Sequence, residues 1–242
     1  MQKQTLLYQG KAKSVYQTDH PERVIIHYND DATAGNGAKH DIITDKGILN
    51  NHISALLYEQ LNQAGIPTHF HQRLNEREQL CDKVQIIPLE VITRNIIAGS
   101  MAKRLGFEEG QEPPNTIFEL CYKNDTLGDP LINDDHAVAL KAATYEQLDT
   151  IYELTSQINQ LLVALFAACG VRLIDFKLEF GINSQGNIVL ADEISPDTCR
   201  LWDSQSQEKL DKDRFRRNLD GLTLTQAYQE ILNRLQQFKE QV

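Results

Sequence analysis

The segment Leu173-Ile-Asp-Phe-Lys-Leu-Glu-Phe-Gly181 carries an ionisable residue at every second position from Asp175 to Glu179. Alternate side chains of an extended chain share a face, so Asp175, Lys177 and Glu179 point one way. Ile174, Phe176, Leu178 and Phe180 point the other. Such a strand either edges a sheet into solvent or lines a polar site. A second strand, Ile188–Ile194, follows across Asn183-Ser-Gln-Gly186 and brings Asp192 with it. A turn centred between Gln185 and Gly186 sets Glu179 opposite Asp192. Facing carboxylates repel unless a cation lies between them. Few, hard oxygen ligands suit Mg2+, which keeps waters and accepts nucleotide phosphates as further ligands. The register is an expectation, because a slip of one residue turns one carboxylate to the opposite face.

Three further groups of residues have the chemistry to hold anions. Gly10-Lys11-Ala12-Lys13 forms a turn between strands, with two lysines spaced to clamp a polyphosphate. It lacks P-loop spacing, so ordinary surface lysines are the plainer alternative. In Glu90-Val-Ile-Thr-Arg94-Asn-Ile-Ile-Ala-Gly99-Ser100, Arg94 offers a planar fork for phosphate or carboxylate. Ser100 is expected to cap a short helix, Met101–Leu105, whose free amides suit an anion. Ser195-Pro-Asp197-Thr-Cys-Arg200 adds a second arginine and another acid beside the hairpin. Lys123 and Asp129 fall in a predicted loop, and the charge-dense Asp211–Arg216 run reads as a solvated helix start. No histidine pattern builds a metal site, and His69 with His71 reads as exposed loop. No GxSxG or other nucleophile motif supports covalent catalysis.

The elements that position these residues come from periodicity and punctuation. Residues 5–28 read as strands, and Asp31–Lys39, rich in Gly, Ala and Asn, as a mobile loop. A helix runs from Asp45 through Leu61 and stops at Ala64-Gly65-Ile66-Pro67. Val84–Thr93 reads as a strand with an edge or bulge at Pro88, and Glu108–His136 as mostly loop. Thr144 and Gln147 form a capping box ahead of a long helix, Tyr145–Cys169, ended by Gly170. An amphipathic helix, Leu222–Phe238, closes the chain.

The 242 residues suit one large domain or two small ones. With 41% hydrophobic and 24% charged residues the chain is neither disordered nor fibrous. Net charge is −10, from 24 basic and 34 acidic residues, which argues against a nucleic-acid partner. The four cysteines show no CxxC pair and read as reduced thiols. Met1-Gln-Lys-Gln-Thr-Leu-Leu lacks a signal peptide's apolar run, and Leu161–Val171 falls short of the roughly 20 residues that cross a bilayer. A soluble, cytoplasmic chain without a membrane partner is expected. Strands outnumber crossover helices, which favours an α+β fold over a doubly wound sheet.

Taken in order, Tyr8-Gln-Gly-Lys-Ala-Lys13, Glu90–Ser100, Leu173–Gly181, Ala191–Asp197 and Asp211–Arg216 resemble the SAICAR synthetase (phosphoribosylaminoimidazole-succinocarboxamide synthase) family along essentially the whole chain. The resemblance implies an ATP-dependent ligase that joins L-aspartate to the carboxylate of carboxyaminoimidazole ribotide (CAIR) through an acyl phosphate, with ATP and Mg2+ as cofactors. It implies an N-terminal antiparallel sheet (1–83), a larger ATP-grasp-like part (84–205) and a helical segment (206–242), with the nucleotide between the first two. By resemblance Gly10, Lys11, Ala12, Lys13 and Lys123 line the ATP phosphates. Val15 and the backbone of Val84, Gln85 and Ile86 hold adenine. Glu179 and Asp192 hold Mg2+, and Glu90 a further metal. Arg94, Ser100 and Arg216 grip the ribotide, and Lys13, Lys177, Asp197 and Arg200 are candidates for catalysis. Asn36 stands where the family carries an acid and Cys199 where serine is common, both near substrate. A homodimer is expected. The alternatives are another ATP-dependent carboxylate ligase or kinase on the same scaffold, and a non-catalytic nucleotide-binding protein.

Overall fold

A computed structural model describes residues 1–35 and 37–241. The N-terminal strands are β1 (Lys3–Gln9), β2 (Lys13–Thr18) and β3 (Arg23–Tyr28), joined antiparallel. The expected loop at Asp31–Lys39 is instead part of a small hairpin, β4 (Asp31–Ala34) with β5 (Lys39–Ile42). Its short residues serve packing, since Ala32 is fully buried in the core. Helix α1 (Lys46–Gln63) ends at Ala64, followed by Gly65 in the left-handed region at φ 84°. Strands β6 (Phe70–Arg73) and β7 (Glu78–Asp82) complete a five-stranded sheet in the order β1-β2-β3-β7-β6, on which α1 packs. His69, read as exposed, is buried beside the Tyr58 ring. Burial holds its imidazole down at about 4, so it is neutral.

Residues 85–203 build the second sheet. Pro88 has no amide hydrogen, and the segment read as one strand breaks around it into β8 (Gln85–Ile86) and β9 (Leu89–Arg94). Helix α2 (Gly99–Leu105) follows. The stretch read as loop contains β10 (Ile117–Tyr122), paired antiparallel along all of β9, and β11 (Leu131–Ile132). Leu120 and Cys121 are adjacent and both buried, which removes the alternation a half-buried strand displays. After α3 (Asp134–Ala139), helix α4 (Tyr145–Ala168) starts at the expected capping box. Thr144 Oγ1 accepts the Gln147 amide at 3.2 Å, and Gln147 Oε1 accepts the Thr144 amide at 2.9 Å.

The long strand β12 (Val171–Ile182) is the spine of this sheet. It pairs with β14 (Cys199–Asp203) near its start, β9 at its middle, and β8 and β13 (Ile188–Ala191) near its end. Phe176, Leu178 and Phe180 enter the core together with Leu162 and Phe166 of α4. Helices α5 (Asp213–Arg217) and α6 (Leu224–Gln241) close the chain, α6 lying against α1. The architecture is the α+β one expected. Among the described residues, no helix is long and apolar enough to cross a membrane.

Because Leu178 is 1% exposed at the centre of the spine, Leu178→Ala leaves a cavity that its neighbours cannot fill. It is expected to cost about 2–5 kcal/mol, read as a lower urea midpoint with an unchanged slope.

Candidate active site

Between the two sheets runs a cleft of about 460 Å³. Gly10, Lys11, Ala12, Lys13 and Val15 line it from the β1–β2 turn and β2. The second sheet contributes Glu90, Arg94 and Lys177, with Lys123 just beyond β10. Asp192, Asp197 and Arg200 reach it from the segment after β13, Ser100 from α2 and Arg216 from α5. Four expected residues do not line it. Glu179 stands behind Lys123 and Lys177, and Val84, Gln85 and Ile86 lie outside it, the last two exposed on β8. Asn36 falls outside the described residues.

At one end, ammonium groups face carboxylates. Glu179 pairs with Ala191 rather than Asp192, one residue from the expected register. The cause is the loop: Asn183 Oδ1 accepts the amides of Gln185 at 3.1 Å and Asn187 at 2.9 Å, which centres the turn on Gln185. Asp192 nevertheless returns to the site, because its φ of 63° breaks strand alternation. Its carboxylate meets Lys13, which also lies 3.0 Å from Glu193. Lys123 bonds Glu179, and Lys177 reaches Glu90 and, at 3.3 Å, Glu179. Burial opposes the Lys177 ammonium, but Glu179, Glu90 and Asp192 outweigh it and hold its pKa well above ordinary. Burial likewise opposes the charge on Asp192, and Lys13, Lys177 and Lys123 overcome it, keeping the carboxyl well below the usual range. Lys177 is therefore a fixed cation rather than a proton acceptor.

At the other end, arginines alternate with acids. Glu119 receives Arg104 through Oε1 and Arg94 Nε through Oε2 at 2.6 Å. Asp175 Oδ2 receives Arg94 Nη1 at 2.9 Å and Arg200 Nη1 at 2.7 Å. Asp213 then takes Arg200 Nε at 2.9 Å and Arg216 Nη1 at 2.8 Å. Sheet register makes the row, since Arg94 on β9 and Arg200 on β14 both sit directly opposite Asp175 on β12. Gly99 makes room for it: its φ is 58°, and a Cβ there would lie 2.3 Å from Arg200 Nη2. Ser100 is not the helix cap that was expected. The N-cap is Ala98, without a side-chain bond, and Ser100 sits in the first turn with Gly99.

Asp197 is buried, and its oxygens are taken. Lys46 Nζ lies 2.7 Å away, Lys212 Nζ 3.1 Å, and the Tyr228 hydroxyl donates at 2.6 Å. Burial works against its charge, but the two ammonium groups hold the carboxyl far below its ordinary value. The Asp211–Arg216 run, read as solvated, has Asp211, Lys212, Asp213 and Arg214 all buried. Sequence reasoning passed over Asp175, Asp213, Glu119 and Glu193 as site residues. Asp175 was detectable by its place in the Lys177–Glu179 row; Glu119 carried no local signal.

A family profile described as SAICAR synthetase matches residues 6–235. The phosphoribosylaminoimidazole-succinocarboxamide synthase of Dichelobacter nodosus is 70% identical over 239 residues, 99% of each chain. The chain belongs to the SAICAR synthetase family. The Ehrlichia chaffeensis synthase crystal structure superposes with a TM-score of 0.93 at 45% identity, covering 96% of this chain and 98% of its own. A SAICAR synthetase in complex with ADP superposes at 0.90 with 43% identity, covering 94% and 96%. The family's reaction is ATP-driven ligation of L-aspartate to CAIR, giving SAICAR, ADP and phosphate, and it places the chain in de novo purine biosynthesis. The larger sheet and its helices form the ATP-grasp-like part of the α+β fold.

Gly99→Ala strains the left-handed backbone and pushes on the Arg200 guanidinium. It is expected to raise the KM for CAIR at least tenfold while the circular dichroism spectrum is unchanged. Wild-type kinetics in this variant would separate Arg200 from the substrate site.

Proposed function

We propose that the two ends of the cleft divide the reaction between them. The arginine row at Arg94, Arg200 and Arg216, with Ser100, takes the ribotide phosphate and the carboxylates of aspartate. Lys11, Lys13 and Lys123, with the Gly10–Ala12 backbone, take the triphosphate. The observation that carries this reading is the alternating row itself. Acids orient each guanidinium, and among the described residues no protein acceptor meets Nη2 of Arg94 or Arg200. Planar donors held in this way suit tetrahedral or planar anions. Adenine is assigned to Val15, which lines the cleft, and to the Val84–Ile86 backbone, where Gln85 and Ile86 pair with Ile182 and Gly181 of β12 outside it.

The substrate carboxylate oxygen attacks the γ-phosphorus and ADP departs, leaving an acyl phosphate. The aspartate amine then attacks the carbonyl carbon; phosphate leaves and the amine gives up a proton as the amide forms. Lys177, at the junction of the two ends and fixed as a cation, offsets negative charge on the transferred group, and Lys13 does so from the opposite wall. Asp197, assigned to catalysis on sequence, acts as an anchor that ties the 195–200 turn to α1, α5 and α6 through Lys46, Lys212 and Tyr228.

The donor set at the lysine end fits Mg2+. Glu179 and Asp192 offer hard carboxylate oxygens for one ion and Glu90 for a further one, two carboxylates being too few to complete a coordination shell. That suits an ion completed by phosphate oxygens and water. When bound, Mg2+ would neutralise the phosphates that these lysines also face. Asn36 is assigned to substrate binding on the family resemblance alone. The assignment extends to a cytoplasmic homodimer with small-molecule substrates only, and to the division 1–83, 84–205 and 206–242. The two sheets use residues 3–82 and 85–203, which supports the first boundary. The described free thiols support a reducing compartment.

The reading is tested by ADP release with Mg-ATP, CAIR and L-aspartate, each omitted in turn. Release is expected only with all three present, together with a succinocarboxamide product. Asp192→Asn or Glu179→Gln is expected to lower kcat at least a hundredfold without unfolding the protein. Ordinary turnover in either variant refutes the metal assignment. Arg94→Lys keeps the charge but loses the fork, and is expected to raise the KM for CAIR about tenfold. An unchanged value places the phosphate elsewhere.

A further inference from the structure

Behind the arginine row lies a carboxyl group that does not line the cleft. Asp211 is fully buried, and both its oxygens accept backbone amides, from Leu201 at 2.8 Å and from Asp213 at 2.7 Å. Leu201 follows Arg200 on β14, and Asp213 opens α5. Asp213 in turn holds Arg200 and Arg216, the two arginines furthest along the row. The Leu201 carbonyl also accepts the Leu210 amide at 2.7 Å, so the peptide chain on either side of Leu201 is held. One side chain thus links the strand that carries Arg200 to the helix that carries its holder. The loop at 204–210 is closed onto β14 by its own backbone, through the Asp203 amide on the Glu208 carbonyl and the Trp202–Lys209 bridge, and the Asp211 side chain carries that closure on to α5.

We propose that Asp211 is a positioning residue for the substrate anions: its carboxylate draws the amides of Leu201 and Asp213 together, so that Asp213 presents Arg200 and Arg216 to the cleft in one fixed geometry. This rests on the assignment of those arginines to substrate.

Groups facing Asp211 are Asp213 and Arg216 from α5, Arg200 and Cys199 from β14, and Tyr228 from α6. Burial and the charge of Asp213 raise the carboxyl to about 7, against the two amides and Arg216. Protonation turns one oxygen into a donor that meets an amide N–H, and one of the two ties is lost. Substrate grip therefore improves as pH rises through about 7. Fold stability changes in the opposite sense: the native carboxyl holds its proton more tightly than the unfolded one, so ionisation costs stability as pH rises from about 4 to about 7.

The test is steady-state kinetics for CAIR and aspartate between about pH 6 and 9, in wild type and Asp211→Asn, with melting temperatures measured alongside. The asparagine has the shape of the acid and only one acceptor oxygen. It is expected to raise KM about tenfold at pH 8, change kcat less than threefold, and converge with wild type near pH 6. The ribotide phosphate titrates near pH 6 in both proteins, so the difference between them isolates Asp211. Asp213→Asn is a second variant; removing its charge should move the wild-type limb to lower pH. Equal KM values in Asp211→Asn and wild type at pH 8, or one pH profile shared by all three proteins, overturns the proposal. If Arg216→Ala leaves both KM values unchanged, the substrate assignment itself fails; if that variant is impaired while Asp211→Asn is not, only the positioning role fails.

Discussion

One carboxylate oxygen, Oδ2 of Asp175, receives arginines from both neighbouring strands, and the arginine end of the cleft depends on that shared contact. Arg94 and Asp175 are 3% and 4% exposed, so neither charge is stabilised by water. Burying ions is costly, and the cost is offset only where every partner is in place. Extending the row through Glu119 and Asp213 meets that condition, because each acid lies between two guanidiniums. The geometry follows from sheet register rather than from any loop. Three strands place Arg94, Asp175 and Arg200 side by side, where a slip of one residue would scatter them.

The lysine end uses the same balance with the opposite bias. Glu90, Glu179, Asp192 and Glu193 hold Lys13, Lys123 and Lys177 in the cleft. An acidic protein of net charge −10 thereby keeps individual cations in its cleft, each held in place by acids. Lys13 also joins the two sheets directly, since it projects from β2 and ends on Asp192 and Glu193 beyond β13.

Two buried acids brace these ends, Asp197 at the cleft wall and Asp211 behind it. Asp197 gathers α1, α5 and α6 onto the 195–200 turn, and Asp211 spaces α5 from β14. Their charges are opposed by burial to different extents. Two ammonium groups keep Asp197 ionised, whereas Asp211 has only amides at hydrogen-bond distance and stands near its protonation midpoint at neutral pH. A preorganised anion site needs such supports, because a guanidinium free to swing loses much of its binding energy to entropy.

Local chemistry made much of this legible in the sequence. The capping box at Thr144 and Gln147, the stop at Gly65 and the alternation from Asp175 to Phe180 are written in neighbouring residues and appear as read. Ile174, read on the face of Phe176, instead packs with Ile96, Ala98 and Trp202, because the register shifts between Leu173 and Asp175. The cleft's lysines and arginines were identifiable because their motifs occur together and in order. The β10 strand was not legible, since burial of adjacent residues on both its faces removes the period-2 signal. Nor were the register of the β12–β13 hairpin, displaced by one Asn183 side chain, or the left-handed turn that restores Asp192 to the site. Asp211 and Asp213 read as surface charge because their partners lie on β14 or behind a loop. Residue types and short-range spacing determined which groups can do the chemistry. Only tertiary packing decided which of them meet, because a buried charge is stable solely beside partners that sequence distance does not reveal.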